Sequence, residues 1–126
     1  MSATGFRLSS TVLGSPDPRG LATFYRDLLG WEVRTDRPEW VVLRPAGATS
    51  GLSFQLEEGH VPPTWPSGPG DQQMQVHLDI AVDDLEAGVA QAEALGANLA
   101  TYQPQDDVRV MIDPAGHPFC LFSPAH

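Results

Sequence analysis

The sequence predicts an α+β fold made of two similar βαβββ modules, each a strand, a helix and three further strands. Two segments carry apolar residues at helical spacing, and twelve glycines and twelve prolines divide the rest into short runs of alternating character. The order of elements then repeats, because Asp84 follows Asp17 by 67 positions and Leu95 follows Leu29 by 66. A chain of 126 residues is also the ordinary size of one domain.

Both predicted helices have clear start and stop signals. The first begins after the acidic cap Asp17, with a proline next to it, and ends at Gly30. The second is capped by Asp83 or Asp84 and is closed by Gly96 in the left-handed C-terminal position.

The remaining periodic runs are predicted strands. Most of them alternate between apolar and polar residues, as half-buried antiparallel strands do. The predicted strands lie at about 7–13, 31–35, 40–44, 51–57, 75–82, 98–102, 107–112 and 118–123. We expect one domain over residues 1–126, with module 1 at about 6–57, a connecting loop at 58–73 and module 2 at about 74–124.

Composition excludes several functions. The net charge is −9 and the chain contains no lysine, so a lysine Schiff base is excluded and approach to nucleic-acid phosphates or anionic lipids is opposed. The single cysteine, Cys120, excludes an internal disulfide, and no apolar run approaches the roughly 20 residues of a membrane span. We expect a soluble cytoplasmic protein whose partner is a small molecule rather than nucleic acid or a membrane.

Three segments together resemble one known superfamily. The residues are Asp17-Pro18 followed by Leu21-Ala22-Thr23-Phe24-Tyr25 and Leu28-Leu29-Gly30-Trp31, then His77-Leu78-Asp79-Ile80-Ala81-Val82-Asp83-Asp84-Leu85, and Asp113-Pro114-Ala115-Gly116-His117-Pro118-Phe119. In their order and duplication they resemble the vicinal oxygen chelate superfamily of glyoxalases, bleomycin resistance proteins and extradiol dioxygenases, and in particular its glyoxalase-like domain proteins. The resemblance covers nearly the whole chain. It implies curled mixed sheets around a cleft, often in a homodimer.

The resemblance also locates a metal position. Enzymes of the superfamily hold a divalent ion with histidine and glutamate side chains from the first and last strands of the modules. The corresponding positions here are Ser10, His77, Gln55 or a residue near it, and Cys120, of which only His77 matches. Serine and neutral glutamine are poor ligands for a divalent ion, so we expect no metal and no other cofactor. If a metal is present, His77 and Cys120 are its expected ligands, and His60 or Asp79 could join them.

Alternation along the strands selects the side chains that face the cleft. His77 and Asp79 share one face of their strand, where the histidine is either a polar anchor for a ligand or a general base. Cys120 shares a face with Pro118 and Phe122, either as a small buried hydrophobe or as a nucleophile beside His77.

Three further residues complete the predicted site. Trp40 lies on the same strand face as Arg44, where it either lines the cavity or packs in the core. Gln55 is expected to contact the ligand as a neutral polar side chain in the cavity. Trp65 belongs to the proline-rich connecting loop, which is either a lid on the site or a cover for a sheet edge. The predicted ligand-binding residues are therefore Trp40, Gln55, Trp65, His77, Asp79 and Cys120, and no catalytic residue is assigned.

Two functions follow from these expectations. The first is a glyoxalase-like protein that binds a small hydrophobic or aromatic molecule in a metal-free cavity, for sequestration, resistance or sensing. The alternative is a divalent-metal-dependent lyase, isomerase or dioxygenase that uses His77 as a ligand. The sequence leaves open whether the protein is an enzyme.

Overall fold

The computed structural model describes residues 5–124. They form two compact units, and the boundary between the units in the sequence lies between His60 and Val61. Each unit contains one helix and one mixed four-stranded sheet, in the predicted βαβββ order. The first unit consists of β1 (Ser10–Ser15), α1 (Pro18–Leu29), β2 (Glu32–Arg37), β3 (Trp40–Arg44) and β4 (Gly51–Leu56). The second consists of β5 (Leu78–Ala81), α2 (Leu85–Ala94), β6 (Asn98–Leu99), β7 (Val108–Ile112) and β8 (Pro118–Phe122).

The two sheets have the same topology. Their strand orders are β1-β4-β3-β2 and β5-β8-β7-β6. The first and last strands of each unit pair in parallel, and the other neighbours are antiparallel. The predicted mixed sheets are thus confirmed, with the parallel pairs at β1–β4 and β5–β8. From the first strand of each unit the chain reverses direction four times, on entering the helix and each of the three following strands, so the last strand runs in the same direction as the first.

Helix α1 begins and ends where the sequence predicts. The Asp17 carboxylate accepts a hydrogen bond from the Gly20 amide at 3.1 Å, and Gly30 closes the helix in the left-handed region at φ 72°. The helix buries its apolar face against the sheet, where the Tyr25 ring stacks on that of Phe54 with 5.7 Å between ring centroids. This face holds the core of the first unit together.

Helix α2 is capped by Asp84, which accepts a hydrogen bond from the Ala87 amide at 3.1 Å, so Asp84 and not Asp83 is the cap. The helix ends at Leu95 in a right-handed conformation, and Gly96 follows at φ 119°. The prediction that Gly96 occupies the left-handed helical position is thus only partly right: the positive φ is present, but it lies well beyond left-handed helical values.

Several strands are shorter than their apolar pattern. β1 begins at Ser10, and the apolar residues before it, Phe6 and Leu8, are exposed. β5 begins at Leu78, so Val76, which lies within the predicted strand at about 75–82, is outside β5 and 69% exposed. Period-two alternation indicates which way side chains point. The ends of a strand depend instead on where its hydrogen-bonded neighbour begins and ends, and the alternation carries no information about that neighbour.

The turn between β7 and β8 is organised by one buried carboxylate. Asp113 is only 2% exposed, and its Oδ1 accepts hydrogen bonds from the backbone amides of Ala115 and His117, each at 2.9 Å. The Asp113 amide in turn donates to the His117 carbonyl. His117 is therefore part of this turn. Neither described helix has both the length and the apolar character of a membrane-spanning segment.

Replacing the buried carboxylate of Asp113 should destabilise the fold. We expect Asp113→Ala to lower the free energy of unfolding by about 2–4 kcal/mol, because two partly buried backbone amides lose a charged acceptor. Asp113→Asn should cost less, because its amide oxygen can still accept. Urea denaturation followed by circular dichroism measures both, with the exposed Asp106→Ala as a control that should stay within about 0.5 kcal/mol of wild type. A similar loss in the control variant would contradict this account.

Candidate functional site

A cavity of about 550 Å³ lies within the second unit. Its apolar lining comes from alternate positions on two neighbouring strands and from the loops that flank them. The strand residues are Val108, Val110, Pro118 and Phe122, and the loop residues are Trp65, Met74 and Pro104. A volume of this size is within the range of small-molecule sites.

Strand register explains why these side chains meet. Cys120 on β8 lies opposite Asp79 on β5 and opposite Val110 on β7, so the three form one row across the sheet. The alternate residues of β8, Phe119 and Leu121, point to the other face and are fully buried. The predicted division of Cys120 from Phe119 and Leu121 is confirmed.

Three polar side chains form a cluster in this cavity. The His77 Nε2 lies 3.1 Å from the Asp79 Oδ1, and one ligand atom from each of His77, Asp79 and Cys120 lies within 4.8 Å of the others. We call these three residues the polar cluster. The predicted common face of His77 and Asp79 is present, and Asp79 connects the imidazole to the thiol.

The surroundings of Cys120 disfavour its thiolate. Burial raises its pKa above the ordinary value, and the negative charge of Asp79 and a hydrogen bond to that carboxylate raise it further. A nucleophilic cysteine needs the opposite environment, because the thiolate is the reactive species. The neighbours of Cys120 therefore favour a polar anchor over a nucleophile.

Trp65 is fixed on the cavity wall by contacts with Tyr102, and the loop that carries Trp65 is closed by a backbone hydrogen bond. Its indole N–H donates to the Tyr102 carbonyl at 3.2 Å, and the two rings are 5.9 Å apart. The Thr64 amide donates to the Gln72 carbonyl at 2.7 Å, which closes the loop on itself. The connecting segment thus contributes an aromatic wall to the cavity, as the lid interpretation requires.

Trp40 and Gln55 lie in the first unit and are not part of this cavity. They face each other across β3 and β4, just as Val108 and Phe122 face each other across β7 and β8. The Gln55 amide donates to the Glu57 carboxylate at 2.7 Å. Both residues thus occupy positions equivalent to lining residues of the second unit, and their role in binding stays a prediction.

The register also corrects one equivalence between the modules. Val12 precedes the Asp17 cap by the same five residues that separate Asp79 from Asp84, and Val12 pairs with Ser53. Ser53, rather than Gln55, is therefore the counterpart of Cys120. In the first unit the Ser10 and Ser53 hydroxyls hydrogen-bond to each other at 2.5 Å.

Sequence reasoning missed Asp107, Met74 and Pro104 as lining residues. Asp107 directly precedes β7, whose alternation places Val108 and Val110 on the cavity face. The strand parity of β7 was available in the sequence and could have identified the two valines. Met74 and Pro104 lie on loops, where no periodicity indicates the direction of a side chain.

Comparison with known proteins identifies the family. A family model described as a glyoxalase-like domain matches residues 10–122. No curated protein is similar enough to count as a match.

Solved structures with this fold include a glyoxalase/bleomycin resistance protein/dioxygenase family enzyme from Burkholderia phytofirmans PsJN, at 20% identity and a TM-score of 0.67, covering 94% of this chain and 98% of the other. TnmS3, an antibiotic binding protein from Streptomyces sp. CB03234, has 20% identity and a TM-score of 0.56, covering 94% and 96%. The oxidase ChaP-H2 has 16% identity and a TM-score of 0.59, covering 94% of each chain. At these identities the likeness establishes the shared fold, and the predicted superfamily and fold are confirmed.

The charge of Asp79 should control the reactivity of the single cysteine. We expect Asp79→Asn to lower the pKa of Cys120 and to increase its rate of alkylation by iodoacetamide at pH 8 several-fold, because the variant removes a negative charge that opposes the thiolate. The rate as a function of pH gives the pKa directly. Asp107→Asn removes the same charge elsewhere in the cavity and should change the rate much less. Equal rates in wild type and Asp79→Asn would contradict the assigned cause.

Proposed function

This chain belongs to the glyoxalase-like domain family, and on that premise we propose that it binds a small hydrophobic or aromatic molecule in a metal-free cavity of the second unit. The observation that carries the proposal is the cavity of about 550 Å³, whose lining is apolar except at a few positions. Apolar walls with a small number of placed polar groups are the usual form of a small-molecule site.

The lining suits a flat, apolar ligand body. The rings of Trp65 and Phe122 offer stacking surfaces, and Val108, Val110 and Pro118 offer aliphatic contact. Burying an apolar molecule on such walls releases about 25 cal/mol for each Å² removed from water. The polar cluster would then orient the ligand by accepting or donating hydrogen bonds.

Internal bonding of the polar cluster supports a metal-free state. His77 and Cys120 each interact with Asp79, so each of the three side chains has a partner without an ion. The equivalent positions of the first unit, Ser10, Val12 and Ser53, add no imidazole, carboxylate or thiol. The first unit therefore offers no strong metal ligand at the positions equivalent to the polar cluster, which supports the metal-free proposal.

Binding without turnover would serve sequestration, resistance or sensing. One protein of the same fold, TnmS3, is named as an antibiotic binding protein, which supports this kind of role. The proposal includes a cytoplasmic location and a homodimer, as expected from the sequence.

A second candidate function rests on the geometry of the polar cluster. His77, Asp79 and Cys120 offer three ligand atoms within 4.8 Å of one another, which is the number that catalytic zinc sites take from protein. An ion held there would act as a Lewis acid on a substrate oxygen. The chain would then be a metal-dependent lyase, isomerase or dioxygenase, with Trp65 and Phe122 holding the apolar part of the substrate.

Filling the cavity should abolish binding. We expect Val108→Trp to weaken the affinity for a neutral aromatic probe, 1-naphthalenemethanol, at least about tenfold, because the indole would occupy the space that the probe needs. Isothermal titration and ligand-observed NMR measure this affinity. Val61→Trp, at a position that is 62% exposed and outside the cavity, is the matched control and should bind like wild type. Undiminished binding by Val108→Trp would contradict the assigned site.

Elemental analysis distinguishes the two candidate functions. We expect protein purified without chelator to contain far less than one equivalent of zinc, iron, manganese or nickel, and EDTA to leave probe binding unchanged. About one equivalent of metal per chain, lost in both His77→Ala and Cys120→Ala, would overturn the metal-free proposal and establish the second candidate.

A further inference from the structure

We propose that the molecule bound in this cavity carries a positive charge beside its apolar or aromatic body, and that the Asp107 carboxylate is its counter-ion. This inference rests on the proposed function, since it names the chemical class of the ligand for the same cavity. It follows from the charges of the lining and from the partners that each charged group already has.

The charged residues of the cavity are strongly asymmetric. Two aspartates, Asp79 and Asp107, are among the described lining residues, and none of those residues is an arginine. Since the chain has no lysine, His77 is the only titratable base among the cavity-lining residues of the described range 5–124. The raised pKa of the Cys120 thiol is consistent with this negative field, because the Asp79 charge is one of its causes.

The two aspartates differ in what they already bind. Asp79 is engaged by His77 at 3.1 Å and by the Cys120 thiol. The Asp107 carboxylate makes no hydrogen bond or ion pair within residues 5–124. It therefore has full capacity to accept from a ligand.

The nearest arginine in the sequence is directed elsewhere. Arg109 lies on the strand face opposite that of Val108 and Val110, and its guanidinium donates to the carbonyls of Asp106 at 2.8 Å and Val108 at 3.0 Å. The backbone thus holds this cation away from the Asp107 carboxylate. The exposed Asp107 carboxylate has no ion-pair partner within the described chain, so it is free to accept a hydrogen bond from a cationic ligand.

The positions of the charges indicate the shape of the ligand. Asp107 precedes Val108 on β7, while Asp79 lies on β5, with β8 and its apolar residue Phe122 between them. Adjacent strands are about 4.8 Å apart, so the two carboxylates are separated by roughly 10 Å or more across the sheet. A ring system lying on Phe122 can place a protonated amine at Asp107 and still contact the polar cluster with its other end.

A charge-matched series of probes tests the inference. 1-Naphthylmethylamine, 1-naphthalenemethanol and 1-naphthoic acid share one aromatic body and are cationic, neutral and anionic at pH 7. We expect the amine to bind about tenfold tighter than the alcohol, as a hydrogen bond to a charged group allows, and the acid to bind weakest. Raising the salt concentration should weaken the amine more than the alcohol.

The variants identify the counter-ion. Asp107→Asn should bring the affinity for the amine to within about threefold of that for the alcohol, with both probes measured on the same variant. Asp106→Asn removes the neighbouring charge outside the cavity and should keep the full preference for the amine.

Each other outcome overturns a defined part of this account. If the alcohol binds as tightly as the amine, or the acid binds tighter, the charge inference fails and the proposed function stands. A preference for the amine that survives in Asp107→Asn overturns the assignment of the counter-ion. If none of the three probes binds to the wild-type protein, the proposed function fails as well.

Discussion

The parallel pairing of the first and last strands of each unit determines which side chains can act together. This pairing places Asp79 opposite Cys120 in the second unit and Val12 opposite Ser53 in the first. A shift of one residue would turn Cys120 to the buried face and bring Phe119 or Leu121 into the cavity. The helix cap, the crossover and the turn at Asp113 all serve to hold this register.

Electrostatics gives the cavity of the second unit its character. Asp79 is shared between an imidazole and a thiol, so its charge is partly used within the protein and the thiolate is disfavoured. Asp107 directly precedes β7, which is separated from β5 by β8, and its carboxylate makes no hydrogen bond or ion pair within residues 5–124. One carboxylate therefore organises the polar cluster, while the other is available to a molecule from outside.

Much of this architecture could be predicted from the sequence, because it depends on local signals. Capping aspartates, helix-ending glycines and the duplicated order of elements identified both helices and the two modules. Strand parity also correctly placed His77, Asp79 and Cys120 on one face. Parallel pairing, the short β5 and the exposure of Val76 were not predictable in this way, since they depend on long-range partners.

The site was predicted less completely for the same physical reason. The cavity of the second unit includes four of the six predicted residues, Trp65, His77, Asp79 and Cys120, whereas Trp40 and Gln55 lie at equivalent positions of the first unit. Sequence spacing shows which positions of the two units are equivalent, but it does not show which unit contains the cavity. Loop residues such as Met74 and Pro104 have no period at all, and only the folded chain shows their direction.

The serine pair of the first unit has a consequence for how such a protein can diversify. Two hydroxyls that bond to each other at Ser10 and Ser53 satisfy the same backbone frame that elsewhere carries an imidazole and a thiol. The same backbone arrangement therefore accepts different side chains at these positions, as long as each polar group has a hydrogen-bond partner. In a duplicated fold one module can therefore remain a structural scaffold while the other acquires side chains that bind new ligands. Such substitutions in one module need not destabilise the other.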